Sequence, residues 1–375
     1  MHDSTSDPLL GDDAARSRVT LTGTARSYRI GDSSVTERVA NARYEFFGSR
    51  FRFRLDGALL RFATRADTIN GALPVAARLD VAVRPGDTLT AFAHSASRPF
   101  DLSTRQTAAL ATAGTSTVDL ESPVLGTPTV GGARVALAFP VGDFVLAARG
   151  GVEVEPRPAG TLPVYWRGTT LRGGLALTSS TGGGSMTASL DATRSSGDSL
   201  GGRNLFPGGG SVTLQVVTDL SVPNPFDPLD DERWPVRALT FYSRPFGNDR
   251  SDQPNLIIPQ GNLFGAVGTL LVSAGDLVFA PTLQLLRETS ASESSAGIIK
   301  NRMTGSAWTA QTGIDVTIPL GRIFELTPQA GYTFGSVGAS FSQSAVLRRG
   351  RVSKSTAFTD AILGSWLSVQ LSAGF

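Results

Sequence analysis

Counted back from the carboxyl terminus, alternate residues are Phe375, Ala373, Leu371, Val369, Leu367, Ser365 and Leu363, all but the serine apolar. Between them stand Gly374, Ser372, Gln370, Ser368, Trp366 and Gly364, small or polar except for the indole. A period of two belongs to a β-strand with one apolar face and one wet face. The same period recurs through most of the chain, and helical periodicity is hard to find anywhere in it. A chain patterned in this way can fold only by pairing strands with strands.

The clearest amino-terminal segment is Arg50 to Leu60, where Phe51, Phe53, Leu55 and Leu59 alternate with Arg52, Arg54 and Asp56. Before it, Val19, Leu21 and Ala25 alternate with threonines and Arg26, and Ala40, Ala42, Tyr44 and Phe46 with Glu37, Arg43 and Glu45. Further on, Val75 to Val83 opposes its apolar residues to Arg78 and Asp80, and Leu89, Ala91 and Ala93 stand against Thr90, Phe92 and His94. A connection of some thirty residues, 96–128, carries no strand signal; connections of that length are usually functional or disordered. The rhythm resumes with Arg134 against Val135 and Leu137, Arg149 and Glu153 against Leu146 and Val152, and Arg172 against Leu171 and Leu175. Asp191 stands opposite Leu190, and Val212, Leu214 and Val216 lead to Asp219. Val236 to Ser243 alternates weakly. The last third sets Glu288, Asp315 and Glu325 against Leu285, Ile314 and Phe324, with a polar loop expected at about 289–307 and a polar, basic one containing Arg348, Arg349 and Arg351 at about 335–360.

These segments give about sixteen strands, and their connections sort by parity. Every second one, at Gly321, Gly275, Gly182, Gly142, Gly86 and Gly48, is a tight glycine turn, the Pro-rich segment 221–234 being the exception. The intervening connections are mostly long and irregular. Alternation alone is also what two stacked sheets of a soluble sandwich would show, with apolar faces packed on each other.

The final fifteen residues decide between these readings. A strand of alternating apolar residues ending on a bare Phe resembles the carboxyl-terminal strand of bacterial outer-membrane β-barrel proteins, with Leu367, Val369, Leu371 and Phe375 in the positions of the signal read by the barrel-assembly machinery. Together with turn parity, the resemblance implies an all-β fold: a closed antiparallel transmembrane β-barrel of about sixteen strands (fourteen as the alternative), with long extracellular loops and short periplasmic turns. Residues 1–16 are expected to be a flexible periplasmic tail, and 17–375 a single barrel domain. A barrel of sixteen strands is too wide for side chains to fill and leaves an aqueous channel.

Composition narrows the function. The chain of 375 residues has no Cys, which excludes disulfide scaffolds, thiolate zinc sites and cysteine catalysis. A net charge of +2 gives no general attraction to nucleic acid. No run of 18 apolar residues is present, so no transmembrane helix is expected. The amino end lacks the basic and apolar regions of a signal peptide, which is expected to have been removed. There are two histidines, His2 and His94; a lone His94 on a wet strand face is read as a polar lining residue, so no enzyme and no cofactor is expected. The run Asp227, Asp230, Asp231 and Glu232 could hold calcium, but reads more simply as a solvated turn.

The wet face supplies the candidate site. Arg26, Arg43, Arg52, Arg54, Arg78, Arg134, Arg149 and Arg172 are expected to line the pore from the first eight strands. Asp191, Glu288, Asp315 and Glu325 are expected to line it from the rest. A largely basic wall would then face an acidic one. In this register the longest loop joins strands five and six, where the general bacterial porins carry the loop that narrows the barrel. By that resemblance Asp101, Arg105, Asp119 and Glu121 are candidates for a constriction, a disordered external loop being the alternative. The implied function is a porin-like outer-membrane channel for passive diffusion of small polar solutes or ions. A substrate-specific uptake barrel, for example for hydrophobic compounds, and a non-transport surface β-protein are the alternatives. The implied partners are outer-membrane lipid and lipopolysaccharide, the assembly machinery, the solutes, and further copies of the chain in a homo-oligomer.

Overall fold

A computed structural model describes residues 17–64, 68–72, 75–95, 130–154, 168–181, 183–196, 198–200, 203–206, 209–224, 233–247, 250–251, 261–296, 299–347 and 350–375. Sixteen strands run up and down in chain order: β1 Ser17–Ile30, β2 Ser33–Phe47, β3 Phe51–Thr64, β4 Val75–Arg84, β5 Asp87–Ser95, β6 Val130–Val141, β7 Phe144–Val154 and β8 Thr169–Thr181. They continue as β9 Gly184–Ser195, β10 Gly209–Pro223, β11 Arg233–Gly247, β12 Leu263–Leu270, β13 Leu277–Ala296, β14 Ile299–Leu320, β15 Phe324–Leu347 and β16 Gly350–Gly374. Short extra strands lie at Thr68–Ala72 beside β3, at Val272–Ala274 after a break at Leu271, and in a small ribbon of Asp198–Leu200 with Arg203–Phe206.

Each strand pairs antiparallel with the next, and β16 pairs with β1 from Arg18↔Gly374 to Ile30↔Ile362. The sheet is therefore closed, and the apolar faces are not packed on each other as in a sandwich. Ser17 and Phe375 exchange backbone hydrogen bonds of 2.9 Å in both directions and finish the seam. Both described chain ends lie at one end of the barrel. The connections there are tight, and Gly86, Gly142, Gly275 and Gly321 take φ of 86°, 60°, 63° and 80° in them. Those left-handed values are open to Gly at little cost and explain its recurrence at this end. The exception stays long: β10 ends at Pro223 and β11 begins at Arg233.

The apolar faces point outward and are not covered. Leu59 is 55% exposed, Leu171 58%, Leu363 62% and Tyr332 69%. A large continuous apolar exterior on a closed sheet is what lipid, not water, accommodates. On β15 the outward residues run Phe324, Leu326, Pro328, Ala330, Tyr332 and Phe334, then change to Ser336, Gly338, Ser340 and Ser342. On β14 the same change falls between Trp308 and Ser306. Eleven residues of tilted strand, 324–334, make a band about 25 Å tall, the hydrophobic height of an outer-membrane barrel. Trp308 and Phe334 meet edge to face at 6.1 Å on its upper border.

Three elements depart from the sequence reading. The segments read as polar loops at 289–307 and 335–360 are largely strand, because β13 to β16 run 20 to 25 residues and rise well past the band. Above lipid both faces are wet, so alternation fades while backbone pairing continues. The β1–β2 connection, read as a Gly-Asp-Ser-Ser turn leading to a strand from Val35, is tighter: a two-residue turn with Gly31 at φ 55°, and Ser33 already in β2. And β11 alternates weakly because its inner face is apolar too: Leu239 and Phe241 point inward between outward Ala238, Thr240 and Tyr242.

Candidate functional site

The inner wall is built by the residues between the outward apolar ones, and the strand registers bring its charges together. On β2 and β3, Arg43 is opposite Asp56. Arg43 Nε donates to Asp56 Oδ1 at 2.7 Å, and Arg54 Nε, two residues along β3, donates to Oδ2 at 2.6 Å. Asp56 is almost fully buried, so one carboxylate holds two guanidinium groups in place. Arg52 pairs with Glu45 and lies over the Phe47 ring at 5.2 Å. On β4, Arg78 Nε donates to both oxygens of Asp80, at 2.9 and 3.0 Å, and Thr90 of β5 donates to Oδ1 at 2.6 Å. Arg26 stands 3.7 Å from buried Glu37.

A second group spans β6 to β9. Glu153 receives Arg134 Nη2 at 2.8 Å and Arg172 Nη2 at 3.1 Å. Arg134 also stacks over Phe92 at 4.5 Å. Arg149 reaches Asp191 at 3.6 Å. On the other half of the wall, Asp219 of β10 accepts Arg237 Nε of β11 at 2.6 Å and Nη2 at 3.3 Å. Glu325 accepts from Thr327 at 3.3 Å, and Asp315 and Glu288 lie on the inner faces of β14 and β13.

The twelve charged residues expected on the wet face thus all fall on the barrel's inner side. The eight arginines do not act singly. Among the described residues each is within ion-pairing distance of a carboxylate, and two carboxylates serve two arginines each. Along β1 to β8 they stand with Glu37, Glu45, Asp56, Asp80 and Glu153; along β9 to β16 the inner charges named are acidic apart from Arg237. Asp101, Arg105, Asp119 and Glu121 lie outside the described residues, as do the tail 1–16, the acidic run 227–232 and the pair Arg348 and Arg349. His94 sits on β5, with its side chain outside the described set. Leu367, Val369, Leu371 and Phe375 all face outward, the last 65% exposed.

One expectation needs correcting. The inner wall is not polar throughout: Val217, Leu239, Phe241, Val267 and Leu286 form an apolar patch across β10 to β13, with Val217 opposite Leu239 and Leu239 opposite Val267. Leu239 is 2% exposed. The missed signal was the weak alternation of β11, where inward and outward residues are both apolar.

Inner-face aromatics lie over glycine backbone. A Cβ added at Gly331 would stand 2.7 Å from the Trp366 ring, and one at Gly313 2.6 Å from it. Phe241 covers Gly265 in the same way, and Phe92 covers Gly132. A ring laid flat on a neighbouring strand's glycine packs the wall without projecting into the lumen.

No family model and no curated protein matches the chain. Solved structures do. A bacterial polysaccharide outer membrane secretin is similar over 97% of this chain and 100% of its own, at 10% identity and a TM-score of 0.45. OmpT, an outer membrane protein of Vibrio cholerae, is similar over 97% and 99%, at 9% identity and 0.41. OpdL of Pseudomonas aeruginosa is similar over 96% and 99%, at 12% identity and 0.36.

Proposed function

We propose that the protein is a porin-like channel of a bacterial outer membrane, passing small polar solutes and ions by diffusion. The observation that carries this reading is a closed sixteen-stranded wall, greasy outside over a bilayer's height and lined inside with anchored charges. Strands satisfy their own backbone in lipid only when closed, and sixteen of them enclose water. In this reading the end holding Ser17 and Phe375 faces the periplasm, and the tall β13–β16 wall stands outside the cell. Lipid and lipopolysaccharide surround the band, and the assembly machinery takes the final strand. Copies of the chain associate through the outer wall. The chain performs no chemistry on its solute; it supplies an electrostatic path. The arginine-rich half facing the acidic half sets a field across the lumen that orients dipolar solutes.

Purified barrel in a planar bilayer is expected to open in discrete steps whose conductance rises with salt. Replacing Arg52 and Arg54 by Ala is expected to shift the reversal potential toward cation preference. A silent membrane with correctly inserted protein overturns the channel, and an unmoved reversal potential overturns the role of the field. The apolar inner patch favours a second reading, a barrel that takes up hydrophobic compounds. Under that reading, Phe241→Asn, at the half-buried part of the patch, abolishes current block by an apolar solute and leaves salt conductance as it was.

A further inference from the structure

The sequence Arg-Gly-Gly occurs at 149–151 on β7 and again at 172–174 on β8. Antiparallel pairing sets the two copies head to tail, with Arg149 opposite Gly174 and Gly151 opposite Arg172. On the other side Arg134 of β6 is also opposite Gly151. Each arginine therefore has a position without a side chain beside it on the inner wall. The space is used: a Cβ at Gly151 would meet Arg134 Cγ at 2.9 Å, and one at Gly174 would meet Asp191 Oδ1 at 2.1 Å. Arg134 and Asp191 thus lie close over the glycine backbone, and the registers set three arginines on neighbouring positions of the inner wall.

We propose that the cluster of Arg134, Arg149 and Arg172 beside Gly151 and Gly174 binds the oxyanion group, carboxylate or phosphate, of a solute in the lumen. Glu153, only 10% exposed at its side chain, fixes Arg134 and Arg172 from below, and Phe92 supports Arg134 from the side. The arginine side chains keep 28%, 41% and 29% of their surface exposed. Glu153 thus serves Arg134 and Arg172, and Asp191 faces Arg149. The Arg149–Asp191 contact is long and open at 3.6 Å. Exposed pairs of that kind contribute little, so an arriving oxyanion can take the place of Asp191. A planar guanidinium presents parallel N–H donors matched to two oxygens of a carboxylate or phosphate, which chloride lacks. The site lies four strands from the Arg43–Asp56–Arg54 group and is a separate one. That the solute reaches it through the lumen rests on the channel reading; that the arginine cluster binds an oxyanion does not.

Calorimetric titration of the detergent-folded barrel with citrate and with inorganic phosphate, at low ionic strength, tests it. Saturable heat is expected with wild type, and citrate against phosphate identifies the preferred oxyanion. The Arg149→Ala, Arg172→Ala double variant is expected to bind about ten- to a hundredfold more weakly, the loss of charged hydrogen bonds. Gln215→Ala, a neutral change on the inner face of β10, is expected to bind as wild type does. Should the double alanine variant fail the heat-shift test of folding, Arg149→Lys, Arg172→Lys keeps the charge and removes the fork, and is expected to bind several-fold more weakly. No heat from either probe with wild type, or equal binding by wild type and variant, overturns the site. A preparation that binds but does not conduct overturns the channel and leaves the site standing.

Discussion

Leu175→Arg is expected to destabilise the barrel by about 2–4 kcal/mol when folding into lipid vesicles is titrated with urea. Leu175 lies in the middle of the outward stretch of β8, 54% exposed, with Ala148 and Leu190 as its neighbours on β7 and β9. In the bilayer that exposure is to acyl chains, and among the described residues no carboxylate stands on the outer face beside it to compensate a guanidinium. The paired control is Gln215→Arg on the inner face of β10, which adds the same group to water and is expected to stay within about 0.5 kcal/mol of wild type. Two equal losses would mean that the outer wall is not in lipid. A soluble sandwich would reverse the order, since its apolar faces would be the packed interior.

The second large effect is expected at Asp56. It is 3% exposed and accepts from both Arg43 and Arg54, whose side chains are each only 15% exposed. Removing the carboxylate leaves two guanidinium groups close together without the charge that holds them. Breaking a buried pair in this way costs about 3–5 kcal/mol. Asp56→Ala is expected to show that loss in urea titration, and restoring balance with Arg43→Ala in the same chain is expected to recover part of it. If the single variant is as stable as wild type, water reaches the triad freely and the wall there is not preorganised. Measuring both variants by one unfolding assay separates that outcome from a general loss of folding.

What the sequence made legible follows from where lipid meets the chain. In the band, one face must be apolar and the other wet, so every spanning strand writes its side-chain orientation as a period of two. The inner placement of Arg52, Arg54, Arg134 and Asp191 could be read directly from that rule. Outside the band the rule lapses. Residues 299–307 and 335–347 are strand, yet their Ser, Thr and Gly carry no alternation because water lies on both sides. The inner patch at Leu239 and Phe241 was illegible for the converse reason: with both faces apolar, β11 offers no contrast. Partnerships were beyond reach as well. That Asp56 would serve two arginines, or that Arg149 would lie against Gly174, depends on interstrand register, which alternation leaves free by any even number of residues.

The seam between β1 and β16 joins positions more than three hundred residues apart along the chain, Arg18 with Gly374 at one extreme. Every other neighbouring pair of staves is consecutive in the chain, so this contact carries the largest loop-closure entropy and is expected to form last. Trp366 sits in the strand that closes it, opposite Arg26, with its ring resting on Gly331 and Gly313. Those glycines belong to β14 and β15, so the indole leaves water as β14, β15 and β16 pair, before the seam is made, whereas Trp308, on the lipid side, is immersed in acyl chains as the hairpins insert. With Trp166 and Trp234 replaced by Phe, brominated acyl chains should quench Trp308 from the start of insertion, and Trp366 should brighten with the pairing of the last three staves, ahead of the seam that ends assembly.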